Sequence, residues 1–339
     1  MIAATQPRTF RDQARMLVLD RTKNKFIDST IQDFPQALRS GDLVVVNDAA
    51  TLPASLRATG PRGASLEIRL VSQIGESDWK AILMGEGTWR IPTELRDLPE
   101  PVRLGDQLEI SREFSAEIIE VAIESCHLVT VRFSKRGGGM WSGIYAHGRP
   151  IQYSYLSEAQ PLWSVQTVYA SRPWAVEMPS AGYSLTWKTL LELKKRGVRL
   201  ARVTHAAGLS STGHENIDAM LPFPEHFEIP PETVDAVALA RRSGGRVLAI
   251  GTTVVRALEG SVALKGCLAA GEGYTDLVID RSFQRQIVDG LLTGMHDPAQ
   301  SHFRLLRAFA DENFLRRGWR HAAAAGYMCH EFGDVCLIL

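Results

Sequence analysis

The sequence predicts an α/β protein: a large, mostly parallel, barrel-like α/β domain carrying a small inserted all-β barrel domain. Three observations predict it. In the second half, short apolar runs such as VRLARVTH (198–205) and VLAI (247–250) alternate with helix-patterned stretches, the texture of a parallel sheet with helical cover. From about residue 53 to residue 145 the texture changes to short runs that alternate apolar and polar residues, the texture of a small antiparallel sheet or barrel. Two apolar runs near the N-terminus match the second half, so the β-rich stretch reads as an insertion. The expected bounds are 1–54 with 150–339 for the large domain and 55–149 for the inserted one.

The elements follow in order. MLVL (16–19) is a strand, and LVVV (43–46) is another, set off by the turn Ser40-Gly41-Asp42. In the insertion, LEIRLV (66–71), WKAILM (79–84), QLEIS (107–111), AEIIEV (116–121) and LVTVRF (128–133) keep period two, with Gly, Pro and Asp between them. No helix of useful length is expected there, and RGGG (136–139) reads as a flexible turn in preference to a phosphate cradle. SLTWKTLLELKKRG (184–197) is a helix, with Leu185, Leu190, Leu191 and Leu193 on its pattern, Ser184 or Thr186 as cap and Gly197 as stop. VRLARVTH is the next strand. PETVDAVALARRSGG (231–245) is a capped amphipathic helix that feeds the strand RVLAI, and residues 301–326 read as one long helical stretch before the last strand, DVCLIL (334–339).

Composition narrows the function classes. The chain has 339 residues, enough for about two domains. Lys plus Arg and Asp plus Glu number 38 each, so no global basic excess announces a nucleic-acid binder, although a local patch is invisible in a total. Cys126, Cys267, Cys329 and Cys336 lack C-x-x-C spacing, which argues against a zinc ribbon and for reduced thiols. The opening residues have no apolar h-region, and no run approaches about 18 apolar residues. A soluble cytoplasmic chain with no membrane association is expected, with a monomer favoured. No G-x-G-x-x-G after a strand, P-loop, G-x-S-x-G elbow or H-E-x-x-H is present. His296 and His302 have weak metal-ligand spacing, and no metal is expected.

The most informative stretch is RVLAIGTTVVRALE (246–259). Its continuous apolar run is the pattern of a strand covered on both faces. Gly251 breaks it, and a helix opens behind. A strand, a glycine turn and a helix N-terminus present N–H groups, Thr252, Thr253 and Arg256 at a strand's carboxyl end, where open α/β sheets bind ligands. The alternative is a plain helix cap by Thr252 or Thr253.

Several segments together resemble the S-adenosylmethionine:tRNA ribosyltransferase-isomerase family of queuosine biosynthesis. They are ARMLVLDR (14–21), SGDLVVVNDAATLPASL (40–56), QTVYA (166–170), PSAGYSLT (179–186), IGTTVVRALE (250–259), the region around MHDPAQS (295–301) and FGDVCLIL (332–339), in order and at similar spacing. The resemblance implies a large α/β domain with an all-β insert. It implies S-adenosylmethionine as a ribosyl donor, whose ribosyl unit moves onto the aminomethyl group of a tRNA deazaguanine and isomerises to an epoxycyclopentane, releasing adenine and methionine. Such a site must accept a ribose proton, assist adenine's departure and hold methionine's carboxylate. The resemblance assigns Asp48, His205, Glu225 and His296 to catalysis. It assigns Pro179, Ser180, Ala181, Gly182, Gly251, Thr252, Thr253, Arg256 and Glu259 to the donor, with Arg256 on an anionic group and Glu259 holding either Arg256 or the substrate amine.

The chain also departs from the family's pattern. Tyr183-Ser184-Leu185 stands where the family has Leu-His-Phe, and the loop His205-Ala206-Ala207-Gly208-Leu209-Ser210-Ser211 keeps only the histidine. Pro222-Phe223-Pro224-Glu225 keeps the glutamate, with His226 following, and Ser55 stands in place of an arginine. Three readings are expected to compete: the tRNA-acting ribosyltransferase-isomerase, a relative that cleaves S-adenosylmethionine or transfers its ribosyl group for a small-molecule acceptor, and a non-catalytic tRNA- or nucleoside-binding relative. The acid/base groups favour the enzymes, and the order of matches along the chain favours the first.

Overall fold

The computed structural model describes residues 1–123, 125–209 and 211–339; Ser210, within the 205–211 loop, lies outside them. Nine strands form one sheet, in the order Gly271–Thr275, Glu225–Ile229, Arg199–His205, Leu43–Asn47, Val247–Ile250, Gly290–Gly294, Val335–Ile338, Arg15–Asp20 and Lys25–Thr30. The four strands from Arg199–His205 to Gly290–Gly294 run parallel. Leu43 and Val45 enter one core and Val44 and Val46 the other, so the LVVV run is a strand buried on both faces. One face is covered by the helix Trp187–Lys195 and the 3₁₀ turn Ile31–Ala37, the other by the helices Pro231–Arg242, Thr252–Lys265, Ser301–Leu306 and Glu312–Ala324.

This sheet corrects the mostly parallel, barrel-like expectation. Its outer strands are not paired with each other, and antiparallel pairings add Glu225–Ile229 and Gly271–Thr275 at one edge and join Val335–Ile338 and Lys25–Thr30 at the other. Alternation of helix and strand along the chain does not register strands added as hairpins at the margins. Gly271–Thr275 (GEGYT) has no apolar alternation to announce it.

A second sheet closes into a six-stranded barrel. The strands Ser55–Thr59, Ser65–Gln73, Asp78–Met84, Leu128–Phe133, Phe114–Val121 and Gln107–Ser111 pair in that order, and Thr59 opposite Glu109 completes the ring. Leu56, Ile68, Leu70, Ala81, Leu83, Leu108, Ala116, Ile118 and Val131 fill it, the inward half of each period-two run.

Helices depart from expectation in two places. The RGGG stretch opens the helix Gly137–His147. Glycine is a poor helix former, and packing overrides it: Met140 and Ile144 are buried on the barrel, and a Cβ on Gly143 would lie 2.7 Å from the Phe114 ring. The 301–326 stretch is two helices, because the Asp311 carboxylate accepts from the N–H groups of Asn313 and Phe314 and starts a second helix there. In the 184–197 helix, Thr186 is the cap, accepting from Thr189 N–H. Among the described residues no helix is long and apolar enough to cross a membrane.

Candidate functional site at the carboxyl edge of the parallel strands

The four parallel strands end at one edge in Asn47, His205, Ile250 and Gly294. Strands of opposite direction begin there, at Glu225 and Val335. Because side chains alternate along a strand, the residues at this edge divide between the two faces of the sheet.

On the face of the 252–265 helix lie Asn47, His205 and Glu225. The Asn47 amide ties the edge together: its Nδ2 donates to His205 O at 3.0 Å and to Thr253 Oγ1 at 3.3 Å, and its Oδ1 accepts from the N–H groups of His205 and Ala49. Glu225 forms an ion pair with Arg256 and accepts the Gly208 N–H at 2.8 Å. Arg256 also donates to Thr275 O at 3.3 Å. His205 is fully buried, with Nε2 3.3 Å from Glu225 Oε2. That approach is proximity without hydrogen-bond geometry: among the described residues neither ring nitrogen of His205, nor Arg256 Nε, has a hydrogen-bond partner. Burial and the Arg256 charge push the His205 pKa well below its usual value, so the ring is neutral at pH 7. Burial raises Glu225, against the pull of Arg256 and the Gly208 N–H.

His296 lies two residues past the end of the Gly290–Gly294 strand. Its Nε2 lies 2.9 Å from Thr293 Oγ1, and its ring stacks on His302 at 4.8 Å between centroids. Burial holds both histidines below their usual value, with the nearby Arg256 adding to the effect on His302.

On the other face Asp48 accepts from Thr204 Oγ1 at 2.6 Å and Ser171 Oγ at 2.8 Å, with Arg202 Nη1 at 3.3 Å. The Pro179-Ser180-Ala181-Gly182 turn packs on this side of the strand end: a Cβ on Gly251 would meet Ala181 Cβ at 3.4 Å, and one on Gly182 would lie 1.8 Å from Tyr169 Oη. Gly251 has φ +94 and is the N-cap of the 252–265 helix, with no side chain capping it. Thr252 and Thr253 therefore do not cap the helix, and Thr253 instead meets Asn47.

Two sequence-based assignments change. Arg256 holds Glu225 rather than standing free for an anion. Glu259 does not touch Arg256; its carboxylate accepts the backbone N–H groups of Gln286, Ile287 and Val288 at 2.9–3.0 Å and is 1% exposed. One turn further along the helix, it lies in the core and braces the 286–288 loop. His226, which follows the retained glutamate, is a strand neighbour of opposite orientation, stacked between Trp174 and Tyr274 at 4.3 and 4.8 Å. Ser55 donates to Glu67, which also pairs with Arg69 and Arg96 in the barrel wall.

Sequence reasoning missed Asn47 and Thr293, and weighed His302 only with His296 as a weak metal-ligand spacing, whereas the two rings stack on each other in the interior. Period two was the available signal for Asn47, since it continues the Leu43, Val45 face to the strand end. Among the described residues no group of three or more His, Cys, Asp or Glu is placed to hold a metal ion.

The family model described as queuosine biosynthesis protein matches residues 1–338. The S-adenosylmethionine:tRNA ribosyltransferase-isomerase of Magnetococcus marinus is 33% identical over 99% of this chain and 90% of that protein. The protein of the same name from Carboxydothermus hydrogenoformans is 32% identical over 100% of this chain and 96% of its own. The crystal structure of S-adenosylmethionine tRNA ribosyltransferase from Thermotoga maritima superposes with a TM-score of 0.55 at 27% identity, covering 100% of this chain and 96% of that one. The chain belongs to the queuosine biosynthesis protein family.

Proposed function

We propose that this protein is an S-adenosylmethionine-dependent ribosyltransferase-isomerase. It moves the ribosyl unit of S-adenosylmethionine onto the aminomethyl-deazaguanine of tRNA, isomerises it to an epoxycyclopentane and releases adenine and methionine. Relatives matched along nearly their whole length bear the name of that donor and acceptor. The observation that carries the reading is the His205–Glu225–Arg256 group at the carboxyl edge of four parallel strands, with buried polar atoms left unpaired. A buried polar group without a partner in the protein calls for an explanation, and a catalytic role is one of the few available.

The roles follow from chemistry. A proton beside a sulfonium is acidified, and neutral His205 is suited to accept it. Glu225, raised by burial, suits the acid that assists adenine's departure. The uncapped N–H groups at the start of the 252–265 helix suit methionine's carboxylate, with the 179–182 turn beside them. Asp48 suits a cationic group of the donor, held in place by Thr204, Ser171 and Arg202. His296, buried beside Thr293 and His302, suits a second acid/base group.

The domain division belongs to the same proposal: 55–149 as the inserted domain and 1–54 with 150–339 as the large one. Every barrel strand falls within 55–133, and the 137–147 helix packs on the barrel. A tRNA acceptor is in keeping with a reaction in the cytoplasm.

The test is incubation with S-adenosylmethionine, with and without tRNA carrying aminomethyl-deazaguanine, followed by mass spectrometry. Adenine, methionine and tRNA heavier by the transferred unit are expected only when all components are present. Adenine release with tRNA left unchanged would move the reading to a small-molecule acceptor. No turnover, with S-adenosylmethionine still bound, would leave a binding protein.

A further inference from the structure

The turn before the last strand reaches the same edge, because Val335–Ile338 runs antiparallel to Gly290–Gly294. This turn presents His330 and Glu331. His330 has φ +70, a left-handed conformation uncommon for residues other than glycine. The turn is locked around it. The buried Asp334 carboxylate takes Arg8 at 2.5 Å and the backbone N–H groups of Arg15 and Met328 at 2.8 Å each, and Gly333 N–H donates to His330 O at 3.0 Å. Backbone strain that the surroundings over-determine is concentrated at functional sites.

The strained residue exposes an aromatic surface. His330 stacks on Tyr155 at 4.1 Å, and Tyr155 stacks in turn on Tyr153 at 6.0 Å. Among the described residues Tyr155 is the only ring against His330, and His330 itself is exposed, so its outer face is open. The Tyr155 hydroxyl donates to Glu331 Oε2, which fixes the carboxylate beside the stack. Glu331 Oε1 accepts no bond among the described residues. Val335, which follows this turn, is the strand partner of Gly294, two residues before His296, so the wall stands at the same end of the sheet as His296.

A flat stacking surface beside an oriented carboxylate recognises one chemistry: a purine-like base whose edge offers adjacent N–H donors. A guanine-type edge does so with its ring N–H and exocyclic amine. Adenine offers one donor beside a ring acceptor, which a carboxylate repels. We propose that His330, Tyr155 and Glu331 form the seat of the acceptor's deazaguanine, with the base stacked on His330 and its N–H edge on Glu331. This rests on the reading of the protein as a tRNA-acting enzyme and names the residues that select the base.

The test separates the two bases of the reaction. Binding to the full-length protein is measured for S-adenosylmethionine by calorimetry. An anticodon stem-loop RNA carrying either guanine or adenine at the wobble position is measured by fluorescence anisotropy. Glu331→Gln keeps the Tyr155 hydrogen bond and replaces half of the acceptor pair with a donor. It is expected to weaken the guanine stem-loop by about tenfold, the discrimination of one good paired contact, and to leave S-adenosylmethionine within about twofold. His330→Ala should weaken the same RNA and His330→Phe should restore it, which keeps the test decisive should Glu331→Gln fail to fold. Loss of S-adenosylmethionine affinity with the RNA unaffected would assign the wall to adenine and overturn the proposal. Unchanged affinities for both would reduce it to a structural stack and overturn it as well. A wild-type protein that binds neither stem-loop would remove the tRNA reading itself, an outcome visible before any variant is made.

Discussion

Arg256 and Glu225 are paired at the carboxyl edge of the sheet, the guanidinium reaching from the first turns of one helix to a carboxylate that begins an antiparallel strand. Their side chains are only 13% and 11% exposed. Removing one partner of a buried pair leaves the other uncompensated, at a cost of about 3–5 kcal/mol. Arg256→Met and Glu225→Gln are each expected to lower the unfolding free energy toward that range in urea titrations. The double variant is expected to lose less than the sum of the singles. Additive losses would show that the two side chains do not depend on each other.

The histidines set a pH dependence. His205, His296 and His302 have folded-state values below the ordinary 6.5, so the unfolded chain takes up protons that the folded chain refuses. Their stabilising contribution is complete above pH 6.5 and is lost as pH falls from there toward their folded values, each with a slope of up to about 1.4 kcal/mol per pH unit. Glu225 is shifted upward from 4.5 and acts in the opposite sense, gaining stability as pH falls through its folded value. Denaturant unfolding between pH 7 and 5 should therefore show stability falling with pH, and His205→Gln should flatten the slope. Because Glu225 works against the histidines, the wild-type and His205→Gln slopes decide together: equal slopes would mean that His205 takes up protons alike in the folded and unfolded chains.

How much of this was legible depends on where each residue's signal lies. Val247–Ile250 was readable because a strand covered on both faces must be apolar throughout, and the barrel because each strand has one wet face. The 137–147 helix was not, since its four glycines oppose it and only the Phe114 ring across the gap explains Gly143. Asp48, His205 and Glu225 came from matched motifs and do stand at one edge, but no spacing rule told that Asp48 faces the opposite side from the other two. That depends on the parity of each strand's last residue. Of the two roles expected of Glu259, the pairing with Arg256 fails for a related reason: a glutamate one helical turn beyond an arginine resembles its partner until the fold supplies three backbone donors elsewhere.

Those three donors give the next prediction. Glu259→Ala strips the N–H groups of Gln286, Ile287 and Val288 of their acceptor, and hydrogen bonds to a charged group contribute about 1.5–3 kcal/mol each. A loss of at least ~3 kcal/mol in unfolding free energy is expected. Calorimetry at a temperature where the variant is still folded should give S-adenosylmethionine affinity like that of wild type. Weakened binding without a change in stability would return Glu259 to the donor site.

The 179–182 turn is tested through its closest approach. A Cβ on Gly182 would lie 1.8 Å from the Tyr169 hydroxyl oxygen and 3.0 Å from Tyr169 Cζ, while Ile250 Cγ2 stands at 3.5 Å. The hydroxyl is therefore the main obstacle to a side chain here. Gly182→Ala alone should displace the turn from the Gly251 strand end, costing about 1–3 kcal/mol by overpacking and weakening S-adenosylmethionine together with stability. Tyr169→Phe removes the obstructing atom and leaves a contact of 3.0 Å, at which the ring must still shift by a few tenths of an ångström. The Gly182→Ala, Tyr169→Phe double variant should therefore recover a good part, not all, of both losses in thermal unfolding and calorimetry. If Tyr169→Phe rescues stability but leaves donor affinity as low as in Gly182→Ala, the bare glycine is needed for the ligand itself and not for room beside Tyr169.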